Sequence, residues 1–221
     1  MRKSLALLSA AFLAGCAATG GGPTTPPTTG GVEYRQPEAA SESKFAKTVN
    51  KPLDAAWRAL SAGVEKSPFL LQNANVQGNS MTLRFSGDPE PYVDCGRIVS
   101  EAKNAKGKRK YDFPASSARQ QYEIVGQKGL YAVDRRMTLE ARIQVALNEA
   151  GPAKTRARAK AYYTLTKTIL VRRVGAGGGD TTRDEVEFDS TGAGVFQVGG
   201  KDGTVCRATG KLEAEALALV K

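Results

Sequence analysis

Histidine is absent from the chain of 221 residues. Imidazole is the commonest general base, the usual activator of serine and cysteine nucleophiles and a frequent zinc ligand, so its absence excludes most hydrolase constellations. Cysteine is scarce: Cys16, Cys95 and Cys206 are the three present, too few and too far apart for a cysteine-based metal cluster. Long hydrophobic runs are missing too. The apolar stretch Leu5 to Leu13 (LALLSAAFL) falls short of the roughly 20 residues a spanning helix needs, and nothing later comes close. The glycine-rich Gly175 to Gly179 lacks the downstream lysine of a phosphate loop and opens no helix, so it reads as a linker. Asp88, Glu90 and Asp94 bunch together, but Pro89 and Pro91 between them mark a turn in which carboxylates cap backbone amides. The expectation is a protein without catalytic residues, cofactor or resident metal.

What is present begins at the amino end. Arg2 and Lys3 precede the apolar stretch, and Leu13-Ala14-Gly15-Cys16 closes it with small residues before a cysteine. Residues 1–15 therefore read as a secretory signal peptide, to be left out of fold reasoning. Leu-Ala-Gly-Cys resembles the lipobox of bacterial lipoproteins. The resemblance implies cleavage before Cys16, diacylation of its thiol and acylation of the new amine. Each buried methylene contributes about 0.8 kcal/mol, and stable anchoring takes more than one chain. The other reading is an ordinary exported protein with Cys16 unmodified. Ala17 and Ala18 lack the aspartate that in enteric bacteria retains lipoproteins at the inner membrane. The resemblance thus implies the outer membrane, with the domain in the periplasm.

Residues 16–43 are dense in Gly, Pro and Thr, a composition that cannot bury enough surface to offset ordering entropy, and are expected to be a flexible tether. Residues 44–221 then form a single domain. No internal repeat marks a solenoid or propeller. Lysine and arginine outnumber acids 32 to 22, a formal charge of +10. Loss of Arg2 and Lys3 with the leader leaves roughly +8, enough to favour anionic envelope components or an acidic envelope protein. Nucleic acid is not expected as a partner outside the cytoplasm. The basic run Lys103, Lys106, Lys108, Arg109 and Lys110, broken by Asn104 and Gly107, reads as a solvated loop or as a binding patch.

Within the domain, Pro52 suits a first helical turn, and Leu53, Ala56, Trp57, Leu60 and Val64 recur at the spacing of one apolar stripe before Ser67-Pro68 stops the helix. Short strands are predicted at Phe45 to Val49, Phe69 to Val76, Met81 to Phe85 and, more weakly, Tyr92 to Ile98. Ser100 to Arg119 reads as a long polar loop. The clearest pattern lies from Met137 to Leu147, where odd positions are apolar while Thr138, Glu140, Arg142 and Gln144 fill even ones. It is a strand with one face buried. After Ala150-Gly151-Pro152 the alternation resumes through Ala157, Ala159, Ala161, Tyr163, Leu165, Ile169 and Val171, completing a long hairpin. A loop of about five residues would set Arg142 opposite Arg158, with Arg156 and Lys160 beside it on the outer face. Like charges opposite one another are mildly destabilising. An acidic partner covering that face would explain them; so would a solvated face that guards against strand pairing. Further strands are predicted at Glu185 to Phe188, Val195 to Val198 and Thr204 to Cys206. A cap at Thr209 then opens a helix burying Leu212, Ala216, Leu219 and Val220. The expected fold is α+β, a curved antiparallel sheet wrapped on the C-terminal helix in a helix-grip arrangement.

Ala56-Trp57-Arg58-Ala59-Leu60, Tyr92-Val93-Asp94-Cys95-Gly96 and Cys206-Arg207-Ala208-Thr209-Gly210-Lys211-Leu212-Glu213 resemble landmarks of a poorly characterised family of Gram-negative outer-membrane lipoproteins. Lipobox, tether and helix-grip domain together are similar to the BamC-like accessories of the β-barrel assembly machinery, which have two domains where this chain has one. With catalytic chemistry set aside, the expected role is structural, assembly or binding. A carrier of an apolar ligand or lipid, held between sheet and C-terminal helix, is the alternative. With Cys16 assigned to lipid, Cys95 and Cys206 remain in an oxidising compartment, and a disulfide between them is the simplest outcome. Two buried free thiols are the alternative.

Overall fold

The computed structural model describes residues 27–38, 45–198 and 201–221. Cys16, the signal peptide and most of the tether therefore lie outside the described residues. In chain order the strands are β1 (Thr29–Arg35), β2 (Ala46–Val49), β3 (Leu70–Asn75), β4 (Ser80–Gly87), β5 (Val93–Asp94), β6 (Arg97–Asn104), β7 (Gly107–Pro114), β8 (Arg119–Gly126), β9 (Gly129–Gly151), β10 (Lys154–Arg173), β11 (Asp180–Asp189), β12 (Ala193–Val198) and β13 (Lys201–Ala208); the helices are α1 (Leu53–Val64) and α2 (Lys211–Ala218). The protein is mostly antiparallel sheet, with two short helices and the second near the C-terminus.

One sheet dominates, in the order β11-β10-β9-β4-β3, with β2 pairing β10 and β8 pairing β9. Strands β9 and β10 span it. The turn-side half of β9 pairs with β4 and its other half with β8, while β10 pairs with β2 near the turn and with β11 beyond it. The odd positions that alternate in sequence are buried through Leu165, with Leu139, Ile143, Val145, Ala157, Ala161 and Leu165 each at most 1% exposed, while Ile169 and Val171 are half-buried. Both helices pack against β9 and β10. From α1 come Ala56, Leu60 and Val64, and from α2 Leu212, Ala216 and Leu217, all buried. Trp57 is half-buried against the core. Two three-stranded sheets, β1-β6-β7 and β12-β13-β5, complete the fold.

Three expectations are corrected. Thr29–Arg35, placed in the tether, forms β1 and pairs with β6 from Thr29↔Lys103 to Arg35↔Arg97. Tyr34 ties it down: its hydroxyl donates to the Val205 carbonyl at 3.2 Å and accepts from the Val205 N–H at 2.8 Å. Gly30 lies so close to β6 that a Cβ there would stand 2.1 Å from the Glu101 carbonyl oxygen. Composition alone hid a strand whose side chains are mostly exposed, because backbone pairing and one tyrosine hold it. Ser100 to Arg119, expected as a loop, is largely the β6–β7 hairpin, paired from Arg97↔Pro114 to Asn104↔Gly107. Its turn is made by the Asn104 side chain accepting the Lys106 N–H at 2.9 Å and by Gly107 at φ 117°. Helix α2 is capped by Gly210 at φ 77° rather than by Thr209, although the Thr209 hydroxyl accepts the Lys211 N–H at 3.3 Å.

Cys95 and Cys206 form a disulfide, with their α-carbons 4.0 Å apart. The bridge reinforces a short ladder, since β5 and β13 share only Asp94↔Arg207 and Val93↔Ala208. Gly96 follows Cys95 at φ 74°, where a Cβ would sit 2.0 Å from the Arg35 carbonyl oxygen. Glycine is required here by both conformation and space.

Candidate functional site

The even positions of β9 and β10 form the outer face, and their register decides which charges meet. Arg142 faces Tyr162, not Arg158; Arg158 faces Ala146, Arg156 faces Asn148 and Lys160 faces Gln144. The expected parity holds, but each partner lies four positions from the one expected because the turn is tighter and centred two residues later, at Gly151 to Lys154, with a bulge after Lys154. On its other side Arg142 faces Arg84 of β4. A like-charge pair does exist, then, with a partner the hairpin alone could not reveal.

A single cross-strand row carries Arg84, Arg142, Tyr162 and Asp189 over four strands. Arg84 is neutralised by Glu140 at 2.8 Å. The Arg142 guanidinium lies 5.1 Å from the Tyr162 ring centroid, and the Lys160 ammonium is equally close. Such contacts contribute about 0.5–1 kcal/mol when exposed. Lys160 also pairs with Asp189 at 2.8 Å. The row floors a groove of about 560 Å³, and a second of about 510 Å³ adjoins it, sharing Gln72, Arg142 and Tyr162. Gln72, at the bulge between Leu71 and Asn73, Thr82 and Gln144 add neutral donors and acceptors to the walls. Toward the turn, Arg156 and Arg158 are exposed and make no ion pair among the described residues. No known protein family, curated protein or solved structure matches the chain.

The lysine-rich run lies on the β6–β7 hairpin and is partly neutralised: Lys108 and Lys110 share Glu101 at 2.8 and 3.8 Å, and Arg109 pairs with Glu123. The acids of the proline-marked turn act as caps. Asp88 accepts the Glu90 N–H at 2.9 Å, and Asp94 accepts the Gly96 N–H at 2.7 Å. Among the described residues no group of three Cys, Asp or Glu side chains is placed to hold a metal ion, and no helix is long and apolar enough to cross a membrane.

Sequence reasoning missed three charged groups in the interior: Arg135, Lys167 and Glu213, each at most 3% exposed. Glu213 accepts the Tyr163 hydroxyl at 2.8 Å beneath α2, and burial followed by that neighbouring carboxylate pushes the Tyr163 phenol upward. The signal for the other two was present. Arg135 and Lys167 occupy odd positions, in phase with the core-facing residues of β9 and β10, where a charge has no solvent to meet.

Two carboxyls on the long hairpin and its neighbours are held well below the usual range. Asp189 sits at about 2, chiefly through its hydrogen bond with Lys160 and then the Thr191 N–H; Asp134 sits at about 2 chiefly through Arg119. Because the folded value lies below the unfolded one, these pairs contribute stability at pH above about 4 that is lost as pH falls through about 2. Carboxyl-carbon NMR titration should therefore give midpoints near 2 for Asp134 and Asp189. Midpoints at the ordinary 3.8 would show that the ion pairs do not persist in solution.

Proposed function

We propose that this protein is a lipid-anchored lipoprotein of the outer membrane. Its periplasmic domain acts as a non-catalytic binding or assembly module toward an anionic envelope component or an acidic envelope protein. The observation that carries the reading is the outer face of β9 and β10, where Arg142 and Tyr162 line a groove and, outside it toward the turn, Arg156 and Arg158 stand exposed with no ion pair among the described residues. Positive side chains kept on a sheet face without carboxylate partners attract anionic surfaces, and a groove with an aromatic floor adds shape to that attraction. The lipobox at Cys16 and its resemblance to bacterial lipoproteins support the anchor. The helix-grip reading, and with it the likeness to BamC-like assembly accessories, is supported by the packing of α2 on β9 and β10.

The test is capture from detergent-solubilised membranes by wild-type protein and by a variant with Arg142, Arg156, Arg158 and Lys160 all replaced by glutamate. The variant should lose the partner recovered by wild type, and wild-type capture should weaken with added salt, because exposed charges are screened over roughly 8–10 Å. Equal recovery by the two proteins would reduce this face to solvated surface.

A further inference from the structure

The far half of the β9–β10 hairpin buries a charge that no described residue neutralises. Arg135 points inward from β9, 1% exposed, and neither Nη1 nor Nη2 has a hydrogen-bond partner among the described residues. Burial lowers its pKa only to about 10, so the guanidinium stays protonated at neutral pH. A second cation stands beside it. In the β9–β10 ladder Arg135 faces Ile169 and Met137 faces Lys167, which makes Lys167 the diagonal neighbour of Arg135 on the same face, with α-carbons about 7–8 Å apart. Lys167, 3% exposed, pairs with the half-exposed Asp184 at 3.1 Å and lies 4.5 Å from the Phe196 ring centroid.

Two phenols, those of Tyr122 and Tyr34, interact with Arg135 and leave its charge standing. The Tyr34 hydroxyl is committed to the Val205 backbone, and Tyr122, whose phenol burial pushes up, is neutral. Among the described residues, two buried cations therefore have one carboxylate between them, the Asp184 partner of Lys167. Buried charges in folded proteins are paired or bind something that pairs them. Solvent also comes near: Gln120 and Ile169, the cross-strand neighbours of Arg135 on either side, are only half-buried, as are Tyr122 and Val171 in the adjoining row.

We propose that Arg135 and Lys167 form an interior site for one phosphate-type anionic group, either free phosphate or a phospholipid head. The planar fork of Arg135 suits two oxygens of a phosphate, while the ammonium of Lys167 supplies the point charge that a dianion needs. A carboxylate would match the fork alone. The site is separate from the outer-face groove, since it lies on the opposite face of the same strands and in their other half, so it stands or falls independently of the proposed function.

Thermal unfolding of the full mature protein in detergent tests it, because a ligand that binds only the folded state raises the unfolding temperature. Inorganic phosphate is compared with sodium chloride at equal ionic strength, and mixed micelles containing phosphatidic acid with micelles of phosphatidylcholine. A rise of several degrees with inorganic phosphate assigns the site to the free anion; a rise with phosphatidic acid alone assigns it to a lipid head. Arg135→Met should abolish whichever shift is seen. Should that variant fail to fold, Arg135→Lys decides: it keeps the charge but loses the fork, and should weaken binding at least tenfold. The proposal is overturned if neither probe shifts the wild type, or if the variant tested responds as strongly as wild type.

Discussion

Replacing Cys95 and Cys206 together with alanine is expected to destabilise the domain by about 2–5 kcal/mol. The bridge joins residues 111 positions apart, so its loss frees a large loop in the unfolded chain. Its loss in the folded state is also felt, because both side chains are fully buried and the β5–β13 ladder they reinforce has only two residue pairs. Urea unfolding of the double variant beside the oxidised wild type measures the effect through the shift in midpoint. Coincident midpoints would mean that the bridge adds nothing beyond the packing around it.

Cys16→Ser is expected to abolish lipid-dependent membrane association and to leave the signal peptide in place. On the proposed lipoprotein reading the hydroxyl cannot take the thioether-linked lipid, so the leader stays uncleaved and acyl chains, each methylene contributing about 0.8 kcal/mol, are lost together. Membrane fractionation and the mass of the amino-terminal fragment read the outcome. A variant processed and fractionated like wild type would overturn the anchor and leave an ordinary exported protein.

The two predictions rest on different kinds of legibility. The disulfide could be reasoned from compartment and cysteine count, and the structure brings Cys95 and Cys206 together. The long hairpin was readable because one face is buried from Val133 to Leu147 in β9 and from Thr155 to Lys167 in β10, which imposes a period of two on the sequence. Helix α1 was readable for the matching reason, its stripe of Ala56, Leu60 and Val64 being the buried side. By contrast β1, β7 and β8 present mostly exposed or half-buried side chains. Their pairing is carried by the backbone, which every sequence possesses, so little in residue type announces it.

The candidate groove divides along the same line. That Arg142, Arg156, Arg158 and Lys160 share the outer face follows from parity alone. Which of them is free does not. Lys160 is answered by Asp189 from β11, and Arg142 stands between Arg84 and Tyr162, partners set by a turn centred two residues later than expected and by strands distant in sequence. The sequence by itself determined the alternation of β9 and β10 and the core-facing stripe of α1, because burial of one face is a local property. The tertiary structure decided the register, the groove and the burial of Arg135 and Lys167 with a single carboxylate, because these depend on which distant strand lies alongside, and a one-dimensional pattern records the face of a residue but not its neighbour.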